Sequence, residues 1–194
     1  MNGNSEIYKI ILKRRSIRRF KQKHIALNSL KKCINAARLA PSASNLQPLE
    51  FFIVTNKDLC LKVFEALSWA GYIKPKWTPN EKERPTAYII ILVKDSKNLW
   101  YSRDASFAAS NIVLCAEGEG LASCILCNLN REKIRESLKI PDKIIIDSVI
   151  AIGYGAELSF VEDIVDSVKY YRDEKQILHV PKRKFKDITH INKY

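Results

Sequence analysis

The sequence has few glycines, and it lacks the glycine-rich signatures of nucleotide-binding folds. A Rossmann fold needs G-x-G-x-x-G after a strand. The six glycines here come close together only as Gly118-Glu-Gly120 and Gly153-Tyr-Gly155, and no P-loop is present. A nicotinamide nucleotide would therefore have to bind without a Rossmann cradle of its own.

Motifs for a side-chain nucleophile or a bound metal are also absent. There is no G-x-S-x-G, and the three histidines show no spacing such as H-E-x-x-H. Cys124 and Cys127 form a C-x-x-C, which can be a redox dithiol, half of a zinc site or a pair of packing thiols. We expect buried packing thiols, because the segment reads as a buried strand in which residues i and i+3 point to opposite faces.

Apolar runs are short. The longest, Ala87–Val93, has the length of a strand rather than the roughly 20 residues of a membrane span. Met1–Glu6 lacks the basic-then-apolar layout of a signal peptide. The five cysteines, an odd number without framework spacing, fit reduced thiols. We therefore expect a cytoplasmic protein with no membrane partner.

Acidic residues are outnumbered by basic ones, 21 to 33, which gives a net charge of +12. Such an excess invites a nucleic-acid interpretation. The cations are spread along the whole chain, however, and the densest cluster, Arg14–Lys23, is short. A preference for anionic small ligands or a lysine-rich composition explains the charge equally well, and we expect no nucleic-acid partner.

The length of 194 residues suits a single domain over residues 1–194. Helices and strands alternate unevenly, which predicts one α+β domain. Asn4 or Ser5 can cap the first helix. The predicted helices are Ser5–Lys13, a helix from Asn28 or Ser29 to Pro41, a helix from Asp58 to about Leu67, Asp104–Glu117, and one that begins at Asn130. The predicted strands are Leu49–Thr55, Thr86–Val93, Leu121–Cys127 and Ile144–Ile152.

Two polar motifs flank the second predicted helix. In Lys13–Phe20, arginines lie beside the hydroxyl of Ser16, and guanidinium groups match the oxygens of a phosphate. In Ala40–Pro48, a proline-bounded loop of small hydroxyls and amides suits a flat heterocycle with polar edges. Together the motifs suggest a site for flavin mononucleotide (FMN). The alternative is that Arg14 and Arg15 only balance the dipole of the first helix.

The segment Gly71–Pro85 is the only long irregular stretch. Its three prolines and two large aromatic residues indicate a stiff loop, and a loop of this length in a compact domain is usually functional. Tyr72 and Trp77 could stack on a substrate there or pack the loop onto the core. The sequence leaves both alternatives open.

The N-terminal motif Arg14–Phe20 resembles the Arg-x-Ser-x-Arg/Lys signature of the FMN-dependent nitroreductase superfamily. The loop Pro41–Pro48 and the segment Ile150–Gly155 are similar to that superfamily as well, and the resemblance covers nearly the whole chain. It implies a central, mainly antiparallel sheet flanked by helices, in a homodimer whose C-terminal segment extends onto the partner subunit. Gly155 departs from the proline that many members have after Gly-Tyr.

The resemblance also implies which residues contact FMN. Arg14 and Ser16 would lie near the phosphate, Arg15 would act through its backbone, and Arg18 would lie near the pyrimidine edge. The remaining implied contacts are Pro41, Ser42, Ala43, Ser44, Asn45 and Gln47 from the second subunit, the backbone of Ile125, Leu126 and Cys127 against the ring, and Lys182, Arg183 and Lys184 at the phosphate.

The activity implied by the resemblance is that of an FMN-dependent oxidoreductase with no catalytic side chain of its own. NADH or NADPH would deliver hydride to flavin N5, and a nitroaromatic, quinone or similar acceptor would then enter in a ping-pong scheme. A flavin carrier or sensor, a dehalogenase and a flavin-modifying enzyme remain alternatives. The small residues of Ala105–Ala116 are a candidate dimer core.

Overall fold

A computed structural model describes residues 5–94 and 99–194. The segment Met1–Asn4, and with it Asn4 as a candidate cap, lies outside the described residues. In the described part of the chain, no helix has both the length and the apolar character of a membrane span. The helices are α1 (Glu6–Lys13), α2 (Leu27–Arg38), α3 (Lys57–Glu65), α4 (Tyr101–Gly118) and α5 (Arg131–Leu138). The strands are β1 (Phe20–Lys21), β2 (Leu49–Val54), β3 (Ala87–Val93), β4 (Ala122–Leu126), β5 (Ile145–Gly155), β6 (Ser159–Asp163), β7 (Tyr171–Arg172) and β8 (Leu178–Lys182).

The main sheet is antiparallel and is built around β5. Strand β3 pairs with β2 on one side and with β5 on the other. Strand β4 pairs with β5 along residues 149–153, and β1 pairs with the following residues Tyr154 and Gly155. The prediction of an α+β fold with a mainly antiparallel sheet is confirmed.

Helices cover both faces of this sheet. Strand β3 is buried on both sides, as its unbroken apolar run predicts. Its residues Tyr88 and Ile90 pack with α3 and α5, whereas Ile89 and Ile91 pack with α2 and α4. The small apolar face of α4 is buried within this second core. The expectation that Ala105–Ala116 supplies the dimer core is therefore wrong, because the protomer itself covers that face.

A second sheet lies within residues 159–182, which include part of the last thirty residues that showed no clear unit in the sequence. Strand β8 lies between β6, to which it pairs in parallel, and β7, to which it pairs antiparallel. The small sheet carries the basic residues 182–184 at the end of β8. The residues after β8, 183–194, therefore begin at the end of the central strand of this small sheet.

The predicted starts agree with the structure for α1 and α5 and differ from it for α2, α3 and α4. Ser5 caps α1, and Asn130 caps α5 by accepting the N–H of Lys133 at 3.0 Å. Helix α2 begins at Leu27, and Ser29 instead donates its hydroxyl to Glu119, ninety positions away. Helix α3 is capped by Asn56 rather than Asp58, and α4 begins at Tyr101 rather than Asp104.

Candidate functional site

The N-terminal motif lies along the outer edge of β4. Arg14 ends α1, with its backbone N–H donated to Ile10 at 2.9 Å. Ser16 then forms a short parallel bridge with Ser123, and Ile17 N–H donates to the Ser123 carbonyl at 3.0 Å. The structure thereby brings the motif beside the strand that the sequence analysis assigned to the flavin ring.

Three of the four guanidinium groups of this motif, those of Arg14, Arg15 and Arg18, form no ion pair within the described residues, and that of Arg15 is bonded to backbone carbonyl groups instead. The neighbouring Arg19, in contrast, pairs with Glu83 at 3.3 Å. The Arg15 guanidinium turns back to the carbonyl groups of Arg14 and Leu12. Burial, and then the charge of Arg14, lower the pKa of Arg15. Two uncompensated cations beside a hydroxyl are what a bound phosphate and a flavin ring edge require, so the residues present fit FMN.

Arg18 is fixed through its backbone and its side chain. Its N–H donates to a carboxylate oxygen of Glu157. Its guanidinium lies over the ring of Tyr170, 4.8 Å from the centroid. The Tyr170 ring in turn meets Tyr72 at 5.1 Å. Tyr72 keeps about half of its surface exposed, and it therefore forms part of an aromatic wall beside Arg18.

Trp77 differs from Tyr72 in its surroundings. The guanidinium groups of Arg19 and Arg172 lie 5.3 and 4.7 Å from its ring centroid, and the residue is half-buried. These contacts give Trp77 a packing role in the protomer, which is one of the two alternatives that the sequence left open.

The loop Pro41–Pro48 is held in a strained conformation. Ser44, Asn45 and Gln47 all have positive φ angles, at 49°, 55° and 48°, a region that residues other than glycine seldom occupy. The Ser42 hydroxyl accepts the N–H of Gln47 at 3.2 Å, and the Ala43 N–H donates to the carboxylate of Asp104 at 3.0 Å. The loop is thus anchored to α4, and its polar residues Ser44, Asn45 and Gln47 are exposed.

The end of β4 exposes backbone and side chains at the edge of the sheet. Ile125 is 39% exposed, while Leu126 is buried. Cys124 is buried, as expected, but the expectation of a buried Cys127 is wrong. The strand ends at Leu126, one residue earlier than the sequence indicated, and this places Cys127 outside the sheet.

The basic residues Lys182, Arg183 and Lys184 are exposed on the C-terminal segment. Lys184 lies 4.0 Å from Asp163, and Arg183 donates to the Asp187 carbonyl at 2.7 Å. These contacts stay within the C-terminal segment. One protomer therefore does not show the return to the phosphate that the resemblance implies.

Sequence reasoning missed three residues that shape this site: Glu157, Tyr170 and Arg172. The side chains of Glu157 and Arg172 are almost fully buried, and Tyr170 lies under Arg18. Glu157 accepts hydrogen bonds from the backbone N–H groups of Arg18 and Arg19, which are more than 130 positions away in the sequence. No local pattern marks such a partner.

A further cavity lies away from this site, between the start of α3 and the segment Arg84–Tyr88. Its volume is about 700 Å³, and none of the residues predicted for the FMN site lines it. In the part of the chain that the structure describes, no cluster of three His, Cys, Asp or Glu residues could hold a metal ion.

A family model described as Nitroreductase family matches residues 11–154, a range that contains the N-terminal motif, the strained loop and all of β5 except its last residue. The chain belongs to the nitroreductase family. The resemblance inferred from the motifs is confirmed, and the antiparallel sheet with helices on both faces is the nitroreductase fold.

The proteins similar to this chain include some named as nitroreductases and some named as iodotyrosine deiodinases. A putative NADH dehydrogenase/NAD(P)H nitroreductase of Archaeoglobus fulgidus is 34% identical over 77% of this chain and 85% of its own length. An iodotyrosine deiodinase of Drosophila melanogaster is 27% identical over 84% of this chain and 67% of its own length. The solved structure of an FMN-dependent nitroreductase from Clostridium difficile superimposes with a TM-score of 0.70 and 29% identity, over 95% of this chain and 98% of that chain.

Proposed function

We propose that this nitroreductase-family protein is an FMN-dependent oxidoreductase that uses NAD(P)H and works as a homodimer, with residues 1–194 forming one FMN-binding unit. The observation that carries the proposal is the pair of uncompensated cations, Arg14 and Arg18, which flank Ser16 at the edge of β4. The names of the similar A. fulgidus and C. difficile proteins support the same activity.

Each part of the site would have a separate task. Arg14 and Ser16 would bind the phosphate of FMN, and Arg18 would bind the pyrimidine edge, where its charge stabilises negative charge on the ring. The backbone of 125–127 would face the ring. The exposed residues of the loop 41–47 would reach the FMN of the partner subunit. The exposed cations at 182–184 would return to the phosphate after the C-terminal segment crosses the subunit boundary.

Bound FMN would supply hydride transfer from NAD(P)H to an electron-poor acceptor such as a nitroaromatic or a quinone. The protein would position the two co-substrates. Because the loop and the end of β4 would cover the rest of the ring, both co-substrates would use one open side of the site in turn. Tyr72 and Tyr170 border that region, and either ring can stack against a planar acceptor.

The test begins with the purified protein. We expect a yellow protein that releases FMN on denaturation, is bleached by NADH or NADPH without oxygen, and regains its colour with a nitro compound. Steady-state kinetics should give parallel double-reciprocal lines. Bound FMN that NAD(P)H does not bleach would favour a carrier or sensor. A colourless protein that binds no added FMN would contradict the proposal.

Reductive dehalogenation is the second candidate, because four of the similar proteins are named iodotyrosine deiodinases or dehalogenases. The discriminating assay measures iodide released from iodotyrosine by the protein after chemical reduction, beside the rate of nitro reduction. Faster turnover of the iodotyrosine would favour the deiodinase activity over the nitroreductase activity.

A further inference from the structure

A buried carboxylate joins the N-terminal motif to the C-terminal part of the chain. The Glu157 side chain is 1% exposed and lies just after β5. Its Oε1 accepts the N–H groups of Arg18 and Arg19, the second at 3.2 Å. Its Oε2 lies 2.6 Å from Nη2 of Arg172, which is itself 6% exposed. One side chain thus contacts two segments that are far apart in sequence.

This arrangement fixes conformation more than it adds stability. A buried ion pair contributes little net stability, because desolvation offsets the attraction between the charges. A carboxylate oxygen that accepts two consecutive N–H groups, however, holds both peptide planes in one orientation. The direction of the Arg18 side chain follows from that orientation. Tyr170, the ring beneath the Arg18 guanidinium, is only two residues from Arg172.

We propose that Glu157 is a positioning residue of the FMN site. One carboxylate oxygen sets the backbone from which Arg18 reaches the pyrimidine edge, and the other holds the Tyr170–Arg172 segment against that side chain. The inference rests on the proposed function, because it takes Arg18 as a contact of FMN. Glu157 would thus affect FMN binding by positioning Arg18 and not by contacting the cofactor itself.

The test is a double-mutant cycle between Glu157→Gln and Arg18→Ala, with the FMN Kd and the flavin midpoint potential as readouts. In the parent background, Glu157→Gln should raise the Kd about tenfold or more, the loss expected for a charge-assisted contact. In the Arg18→Ala background, the same substitution should change the Kd by less than about twofold, since the two groups act through one contact.

A second readout does not need FMN. In the apoprotein, Glu157→Gln should increase the hydrogen exchange of the Arg18 and Arg19 amides, which lose their charged acceptor. Should the single variant fold poorly, the double variant Glu157→Gln/Arg172→Gln removes both buried charges and can be measured in the same two backgrounds. The matched control is Glu83→Gln, which breaks the ion pair of Arg19 but leaves the amide of Arg18 in place, and it should leave the FMN Kd unchanged.

Three outcomes would overturn the inference. Equal effects of Glu157→Gln in both backgrounds would show that Glu157 supports the fold as a whole. An unchanged FMN Kd in a folded Glu157 variant would show that the carboxylate does not position Arg18. A parent protein that binds no FMN would overturn the proposed function together with this inference, whereas the first two results would leave the proposed function intact.

Discussion

Among single residues, Arg18 combines a guanidinium without a counter-ion with a backbone fixed by a buried carboxylate. We predict that Arg18→Ala weakens FMN binding by about 1.5–3 kcal/mol, because a charge-assisted contact is lost. The flavin midpoint potential should fall, since the ring loses the cation that stabilises its negative charge. Fluorescence titration and potentiometry measure the two effects. Arg38→Ala, on the exposed side of α2, is the control. An Arg18 variant with the FMN affinity and potential of the parent would refute the assignment.

The five cysteines differ in how readily they should react. Burial raises the pKa of Cys33 to about 12 and that of Cys60 to about 11, and both thiols are inaccessible. Cys127 is exposed, although partial burial and then Asp147 raise its pKa. We predict that iodoacetamide at mildly alkaline pH labels Cys127 first and leaves Cys33 and Cys60 unlabelled until the protein unfolds. Peptide mass spectrometry reads the order, and early labelling of Cys33 would contradict the packing described here.

At the scale of elements, the junction of β1 and β5 depends on a glycine. A Cβ atom at Gly153 would lie 2.7 Å from Cδ1 of the fully buried Phe20. We predict that Gly153→Ala destabilises the protein by about 1–3 kcal/mol, the usual cost of overpacking, as measured by urea unfolding. Gly71→Ala is the control, because nothing lies within 4 Å of a Cβ there. Equal free energies of unfolding for the two variants would show that β1 moves away from the added methyl group at residue 153 without an energetic cost.

The small C-terminal sheet contains a titratable side chain, His179, that lies between two carboxylates. His179 Nδ1 lies 2.9 Å from Glu162, its Nε2 lies 3.4 Å from Asp173, and its ring stacks on Tyr171. The hydrogen bond with Glu162 is the main cause that raises the pKa of His179. The backbone N–H of Ile177 is the main cause that lowers the pKa of Asp173. The carboxylate of Asp173 therefore remains ionised where His179 is protonated.

The sign of the resulting pH dependence follows from the raised pKa. Protonated His179 stabilises the folded sheet, and this contribution is complete below the unfolded pKa of about 6.5 and is lost as the pH rises through the folded pKa. We predict that hydrogen-exchange protection factors in β8 fall over that range. The decline should be absent in His179→Gln. A decline of equal size in the variant would assign it to another group.

Local signals in the sequence predict most helices and strands. Several features that the sequence did not predict depend on contacts between distant segments. Asn130 marks the start of α5 because a capping side chain bonds within its own turn. Ser29 misleads for the opposite reason, since its hydroxyl bonds across to Glu119. The motif Arg14–Arg18 can be recognised in the sequence. The contact of Glu157 with the backbone of Arg18 and Arg19 cannot be recognised there, because it forms only after β5 brings Glu157 beside the motif.

At the scale of the whole molecule, α1 is a helix that the protomer leaves largely uncovered. Ile7, Tyr8, Ile11 and Leu12 are 47–70% exposed, and an isolated helix of eight residues is not stable in water. The C-terminal residues Phe185, Ile188 and Ile191 are exposed as well. These apolar surfaces fit a homodimer interface, which in obligate dimers buries more than about 2,000 Å².

We therefore predict that the protein sediments as a dimer at micromolar concentration. The double substitution Ile7→Lys/Ile11→Lys should yield monomers with weaker FMN binding, because in the proposed dimer the loop 41–47 of the partner subunit would contribute to the site. Leu61→Lys, which charges an exposed apolar position on α3, is the control and should leave the dimer intact. A parent protein that is monomeric and still holds FMN would rule out a shared site.

The central place of β5 has a consequence for biosynthesis. Strands β1 and β4 both take β5 as their ladder partner, and the wholly buried β3 needs it on one side. While the ribosome is still translating the preceding segment, the nascent chain can pair β2 with β3 but must leave the other edge of β3 open to solvent or to a chaperone. The backbone of Arg18 and Arg19 gains its carboxylate only when Glu157 leaves the exit tunnel. If FMN binds as proposed, a growing polypeptide would therefore complete its FMN site only after residues 145–157 have emerged.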